Sequence, residues 1–166
     1  MNIFYLHKNP VKSAKMQCDK HCVKMILESA QMLCSAHRVL DGDANADYTG
    51  MYRMAHKNHP STVWARANKE NYKWLYTHMD ALMNEYTFRY KKTHATERLK
   101  IALKKYPKNI AQGQFTHPPQ CIPDEYKMED TVEAYRKYYI ADKMYMAKWK
   151  FTEQPEWIGE KNGDKA

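Results

Sequence analysis

The sequence predicts an all-α fold, a compact single-domain bundle of about four to five helices joined by long irregular loops. Apolar residues recur at alternating steps of three and four in at least three segments, the spacing of one helix face and not of a strand. Only 5 glycines occur in 166 residues, which disfavours folds that depend on glycine-rich turns. Hydrophobic residues make up 43% and aromatics 13%, enough to bury a real core and to exclude a disordered or low-complexity chain. The expected organisation is one helical domain over residues 1–158 and a polar tail over residues 159–166.

The elements follow in order. NIFYL opens the chain as a short apolar stretch, and Asn9-Pro10 starts a first helix, with Asn capping and Pro in the first turn. The second helix runs from about Cys18 to Leu40 with Asp19 as its candidate cap, and the turn residues of DGDANADYTG end it. The loop from Asp41 to Pro60 carries the basic, histidine-rich MYRMAHKNHP, and long loops in compact domains are often functional. A third helix starts near Ser61, is re-capped or continued at Asn68 and runs to about Lys91; Tyr72, Leu75, Met79, Leu82 and Tyr86 form its core-facing seam. TERLKIALKKY is a shorter helix that stops before Pro107. PKNIAQGQFTHPPQCIPDEY is an irregular connection. The last helix, from about Asp130 to Lys150, turns Val132, Tyr135, Tyr139, Met146 and Trp149 inward, and EKNGDKA is a frayed polar end.

Composition narrows the function. The formal charge is +8, from 27 Lys and Arg against 19 Asp and Glu, and favours polyanionic partners such as nucleic acid or nucleotides. No apolar run approaches the ~20 residues needed to cross a bilayer, and the N-terminus lacks the basic and apolar regions of a secretory signal. An intracellular protein without membrane association is therefore expected. In that setting Cys18, Cys22, Cys34 and Cys121 are expected to be reduced. Cys18, His21 and Cys22 invite a metal reading, but a structural zinc site normally needs a second ligand pair at recognisable spacing. No metal ligands and no cofactor are assigned. Phosphate loops and nucleophile elbows are absent from the sequence.

The most informative stretch is CDKHCVKMILESAQMLCSAHR. On a helical wheel His21, Lys24, Glu28, Gln31 and Ser35 share one narrow stripe, while apolar residues cover well over half the circumference. Such a stripe can be a solvated face. Against that, Glu28 sits in the most apolar part of the helix, between Met25-Ile26-Leu27 and Ala30-Met32-Leu33, with His21 two turns earlier on the same side. A carboxylate partly withdrawn from water there suits acid–base work. Glu28 is therefore expected to line a pocket with His21, Gln31 and the N-terminus. A second stripe, Asn71, His78, Glu85 and Arg89, flanks the seam of the third helix.

A helix carrying His21 and, seven residues later, Glu28 near the start of a small basic all-α protein resembles the pyrimidine-dimer DNA glycosylases of the bacteriophage endonuclease V type. HPSTVWARANKENYKWLYTHMDALMNEYTFRY resembles the following helix of that family, and YRKYY with PEW its aromatic tail. The whole chain is also similar to uncharacterised proteins of tailed phages, which implies the cytoplasm of a bacterial host. The resemblance implies a glycosylase and abasic-site lyase acting on damaged or modified pyrimidines in duplex DNA, with a catalytic glutamate and a terminal amine that forms an imine with the sugar. A terminal amine has a reference pKa near ~8, so a useful neutral fraction exists at pH 7. Family enzymes use the amine of the second residue; here that residue is Asn2, larger than the residues that usually permit removal of the initiator methionine, so Met1 is expected to stay. The candidate catalytic set is then Met1, Glu28 and His21. The candidate nucleic-acid contacts are Lys24, Gln31, Arg53, His56, Lys57, His59, Asn71, His78 and Arg89. Two other classes remain open. One is a non-catalytic nucleotide or nucleic-acid binder that captures a nucleotide or blocks a host factor, and the other is a metal-dependent enzyme using the His and Cys cluster.

Overall fold

The computed structural model describes the backbone of residues 1–163 and the side chains of residues 1–159. Its described residues form eight helices and no strand. In chain order these are α1 (Pro10–Met16), α2 (Asp19–Asp41), α3 (Ala44–Tyr48), α4 (Pro60–Ala65), α5 (Lys69–Tyr90), α6 (Lys100–Lys104), α7 (Thr131–Asp142) and α8 (Glu156–Gly163). Two short 3-10 turns, Ala95–Leu99 and Asp124–Tyr126, precede α6 and α7. Five of the eight helices have seven residues or more, so the all-α expectation holds.

The long helices α2 and α5 pack on each other, α1 lies across α5, and α4 rests on α2. Ile26, Met32, Leu33 and Ala36 of α2 meet the predicted seam of α5, in which Tyr72, Leu75, Met79 and Leu82 are buried. One core runs from Ile3 to Ile158. The first six residues have no regular secondary structure and pack against it, with Tyr5 and Leu6 fully buried.

Local signals explain most boundaries. Asn9 caps α1 by accepting from the N–H groups of Val11 and Lys12. Asn68 re-caps the chain after the break at Arg66-Ala67, accepting from Asn71 N–H, so two helices stand where continuation was the other option. Gly113 passes so close to this cap that an added Cβ would lie 2.8 Å from the Cβ of Asn68. TERLKIALKKY divides into a 3-10 turn and the short α6.

Two boundaries differ from expectation. Asp19 is the first residue of α2 and not its cap; its carboxylate receives the N–H of Lys150 at 2.9 Å and Arg89 at 3.2 Å. α7 ends at Asp142 and not near Lys150, because residues 148–150 are drawn to the start of α2, where Lys148 C=O accepts the Asp19 N–H at 2.8 Å. Met146 and Trp149 still pack against the core. The expected frayed end is helical as far as Gly163, and the rest of it lies outside the described residues.

The second stripe of α5 is internal. Arg89 has no solvent exposure: its Nε meets Glu85 at 3.1 Å, Nη1 meets the Gln17 carbonyl at 2.7 Å and Asp19 at 3.2 Å, and Nη2 meets the Lys15 carbonyl at 3.0 Å. One guanidinium thus joins α1, α2 and α5. Removing one partner from a buried charge network strands the others, at about 3–5 kcal/mol. Arg89→Leu should therefore lower stability by about that amount in urea unfolding followed at 222 nm; an unchanged midpoint would show that the network is not what holds the three helices.

Candidate active site

The polar stripe of α2 does not face open water along its length. Ser35 is buried and fastens the 51–59 loop, receiving the Ala55 N–H at 3.2 Å. Gln31 is half-buried, and Lys24 reaches solvent with a side chain 71% exposed. Glu28, whose side chain is 14% exposed, faces the head of the chain. Its Oε1 lies 3.7 Å from the Met1 α-amine and accepts the Asn2 N–H at 3.2 Å, while Oε2 lies 3.8 Å from Lys24 Nζ.

The head of the chain is held by its own side chains. Asn2 Oδ1 accepts from the N–H groups of Ile3 at 2.7 Å and Phe4 at 3.0 Å, and Asn2 Nδ2 donates to the Cys121 carbonyl at 3.0 Å. Phe4 is in the left-handed backbone region, at φ +56°, which costs a non-glycine residue about 1–2 kcal/mol. The Met1 side chain is only 2% exposed and packs against the core, which leaves the amine and not the thioether beside Glu28.

His21 belongs to a neighbouring cluster. Seven residues along the helix put it about 10 Å from Glu28. Its ring stacks on Phe4 at 4.1 Å between centroids, and Nδ1 lies 2.7 Å from the Tyr139 hydroxyl. Burial, reinforced by Lys143 and Lys24, pushes its pKa down to about 3, which keeps the ring neutral where it stacks on Phe4.

On the other side, His59 caps α4 by accepting the Ser61 N–H at Nδ1. Its pKa is lowered first by burial and then by the charge of the chain-terminal amine and of His56, with Glu28 opposing. The amine and Glu28 are thus within electrostatic reach of His59. Ser61 Oγ lies 3.4 Å from Cys121 Sγ, which joins α4 to the loop that receives Asn2.

Among the expected nucleic-acid contacts, Lys24, Arg53, His56 and Lys57 are exposed, and the last three ride on the loop fastened by Ser35. Asn71, His78 and Arg89 are corrected to interior roles, since each is fully buried with its donors engaged. Asn71 bonds the Trp64 carbonyl and Thr116, and His78 lies between Gln17 and the Pro10 carbonyl. A duplex cannot reach them in this fold. In the sequence Asn2 stands out only for its bulk, although Asn at a chain turn signals self-bonding of this kind; nothing local marks Cys121 as its partner. All four cysteines are free, and among the described residues no group of three or more His, Cys, Asp or Glu side chains is placed to hold a metal ion.

Residues 1–98, more than half of the chain, match the family described as pyrimidine dimer DNA glycosylase. The chain belongs to this family. No curated protein and no solved structure matches it. The matched part of this pyrimidine dimer DNA glycosylase family member holds Met1, Glu28, His59 and the basic loop. Cys121, Tyr135 and Tyr139, which brace the head of the chain, come from the remainder. The family acts on DNA, in keeping with the basic charge, and no described helix is long and apolar enough to cross a membrane.

Burial also sets a pH dependence. His78, like His21, is held far below the ordinary 6.5, at about 4, by burial against the weaker opposing pull of the Pro10 and Ile3 carbonyls. The unfolded chain takes up these protons first, so the stability they leave intact above about pH 6.5 falls as the pH drops toward 4 and 3. In NMR titrations both imidazoles should stay neutral at pH 5, with a urea midpoint lower there than at pH 7; protonation of either near 6.5 would contradict its burial.

Proposed function

We propose that the protein is a DNA glycosylase with abasic-site lyase activity, acting on damaged pyrimidines in duplex DNA through the α-amine at the head of the chain. The observation that carries this reading is the amine 3.7 Å from Glu28 Oε1, on a head segment pinned through Asn2. Membership of a pyrimidine dimer DNA glycosylase family supports the substrate class.

The chemistry follows from the two groups. The amine lone pair attacks C1′ of the damaged nucleotide, the bond from C1′ to the base breaks, and the base leaves with the bonding electrons and gains a proton. Glu28 takes the proton shed by the amine and faces the positive charge that develops on the sugar. The nitrogen lone pair then expels O4′, which gains a proton as the C1′–O4′ bond breaks; the resulting imine loses a proton from C2′, and the 3′ phosphate departs with the C3′–O electron pair. Water then hydrolyses the imine and returns the amine. Met1 serves with its side chain folded into the core, so its bulk lies away from the reacting centre. Lys24, 3.8 Å from Glu28 Oε2, and Arg53, His56 and Lys57 on the loop tied to α2 by Ser35 are exposed groups that can meet phosphates, with the half-buried Gln31 and His59 as further candidates.

Borohydride should trap a covalent adduct on duplexes carrying ultraviolet damage or an abasic site, and acetylating the α-amine should abolish it. Glu28→Gln keeps size and hydrogen bonding, so fold and affinity should persist while turnover falls ~10²-fold or more. A variant that cleaves like the parent removes the carboxylate from the mechanism.

Duplex binding should also weaken steeply with salt. Neutralising Lys24, Arg53 or Lys57 singly should flatten the log–log slope by roughly 0.9 for each phosphate that is no longer neutralised. Three unchanged slopes would mean that the duplex lies against another face.

A further inference from the structure

Half a turn around α2 from Glu28, and about 13 Å along its axis, His37 forms the floor of a cleft of about 670 Å³ between the end of α2, α3 and α6. The cleft is therefore separate from the amine and carboxylate pair. Its rim carries Arg98, Lys105 and Lys108 against one carboxylate, Asp41. Asp41 is already committed: its oxygens accept the N–H groups of Lys108 at 2.7 Å and Asn109 at 3.0 Å, which fixes the loop that presents Lys105 and Lys108. Arg98 is set by one hydrogen bond to the Gly50 carbonyl at 2.8 Å and by the Tyr52 ring, which leaves the rest of its guanidinium fork unengaged among the described residues.

The apolar part of the cleft is unusual for a surface. Ile101 is 82% exposed and Tyr106 is 40% exposed. Tyr106 stands between this cleft and a second one of about 330 Å³ that holds Lys73, Tyr76 and Lys104, and Lys69 Nζ lies 5.6 Å from its ring centroid. The Asn45 side-chain amide lines the cleft and makes no hydrogen bond among the described residues. A partly exposed aromatic ring, braced by Tyr72 at 5.7 Å between centroids, an exposed amide and flanking cations are together the features that hold a base by stacking and its phosphate by charge.

We propose that this cleft binds a nucleotide, with Tyr106 stacked on the base, Arg98, Lys105 and Lys108 on the phosphate, and Asn45 at the base edge. The nucleotide is either free or one unit of a strand, and the two differ in what must be offered to the protein. The full chain should be titrated with deoxyadenosine monophosphate by calorimetry and with an undamaged six-nucleotide single strand by fluorescence anisotropy. Binding of the monophosphate identifies a free nucleotide as ligand, and binding of the strand alone identifies a nucleotide within a chain; both uphold the site. Tyr106→Ala and the pair Lys105→Gln with Lys108→Gln should each weaken binding by about tenfold, Tyr106→Phe should retain it, and all should leave borohydride trapping on damaged duplex unchanged. Absence of binding to both probes, or binding that falls with the lysines and ignores Tyr106→Ala, overturns the proposal, the second because it describes a plain polyanion face. Trapping reports on the amine alone, so the two sites fail independently.

Discussion

The buried guanidinium of Arg89 is the constraint on which the rest of the arrangement hangs. A charge with no access to water is tolerable only if its donors are matched, and here two carboxylates and two helix-end carbonyls match them. Those carbonyls, of Lys15 and Gln17, belong to the end of α1 and the residue after it, so Arg89 caps one helix while Asp19 ties it to the first turn of another. The junction between α1 and α2 is thereby fixed against α5. Residues 1–6 then run along a surface whose shape is set.

That surface explains how a strained residue is kept at the head of the chain. Phe4 would relax out of its left-handed conformation were it free, but His21 stacks on it, Asn2 accepts its N–H, and Tyr139 and Tyr135 close its edges. The histidine and glutamate of the α2 stripe therefore have different partners within one segment. His21 holds the backbone two residues beyond Asn2, and Glu28 faces the amine one residue before it.

Much of this is legible in the sequence because the relevant signals are local. The α2 and α5 seams, the Asn9 and Asn68 caps and the stop before Pro107 are all decided within a few residues. Glu28 is legible for the same reason, as a carboxylate amid apolar neighbours on one helix. What cannot be read is decided by distant partners. The stripe of Asn71, His78 and Arg89 has the spacing of a surface edge and is interior because α1 and the segment near Thr116 cover it. The end of α7 falls short of its periodicity because Asp19 recruits residues 148–150, its N–H donating to the Lys148 carbonyl and its carboxylate accepting the Lys150 N–H. Periodicity describes a face and is silent about what lies on it.

The bond from Asn2 to the Cys121 carbonyl spans 119 positions of sequence. During synthesis Asn2 is made long before its anchor, because Cys121 lies more than two thirds of the way along the sequence. A growing chain has its α-amine and Glu28 early but lacks the clasp that fixes them together. Assembly is thus ordered in time: a segment made early waits for residue 121 before it is fastened.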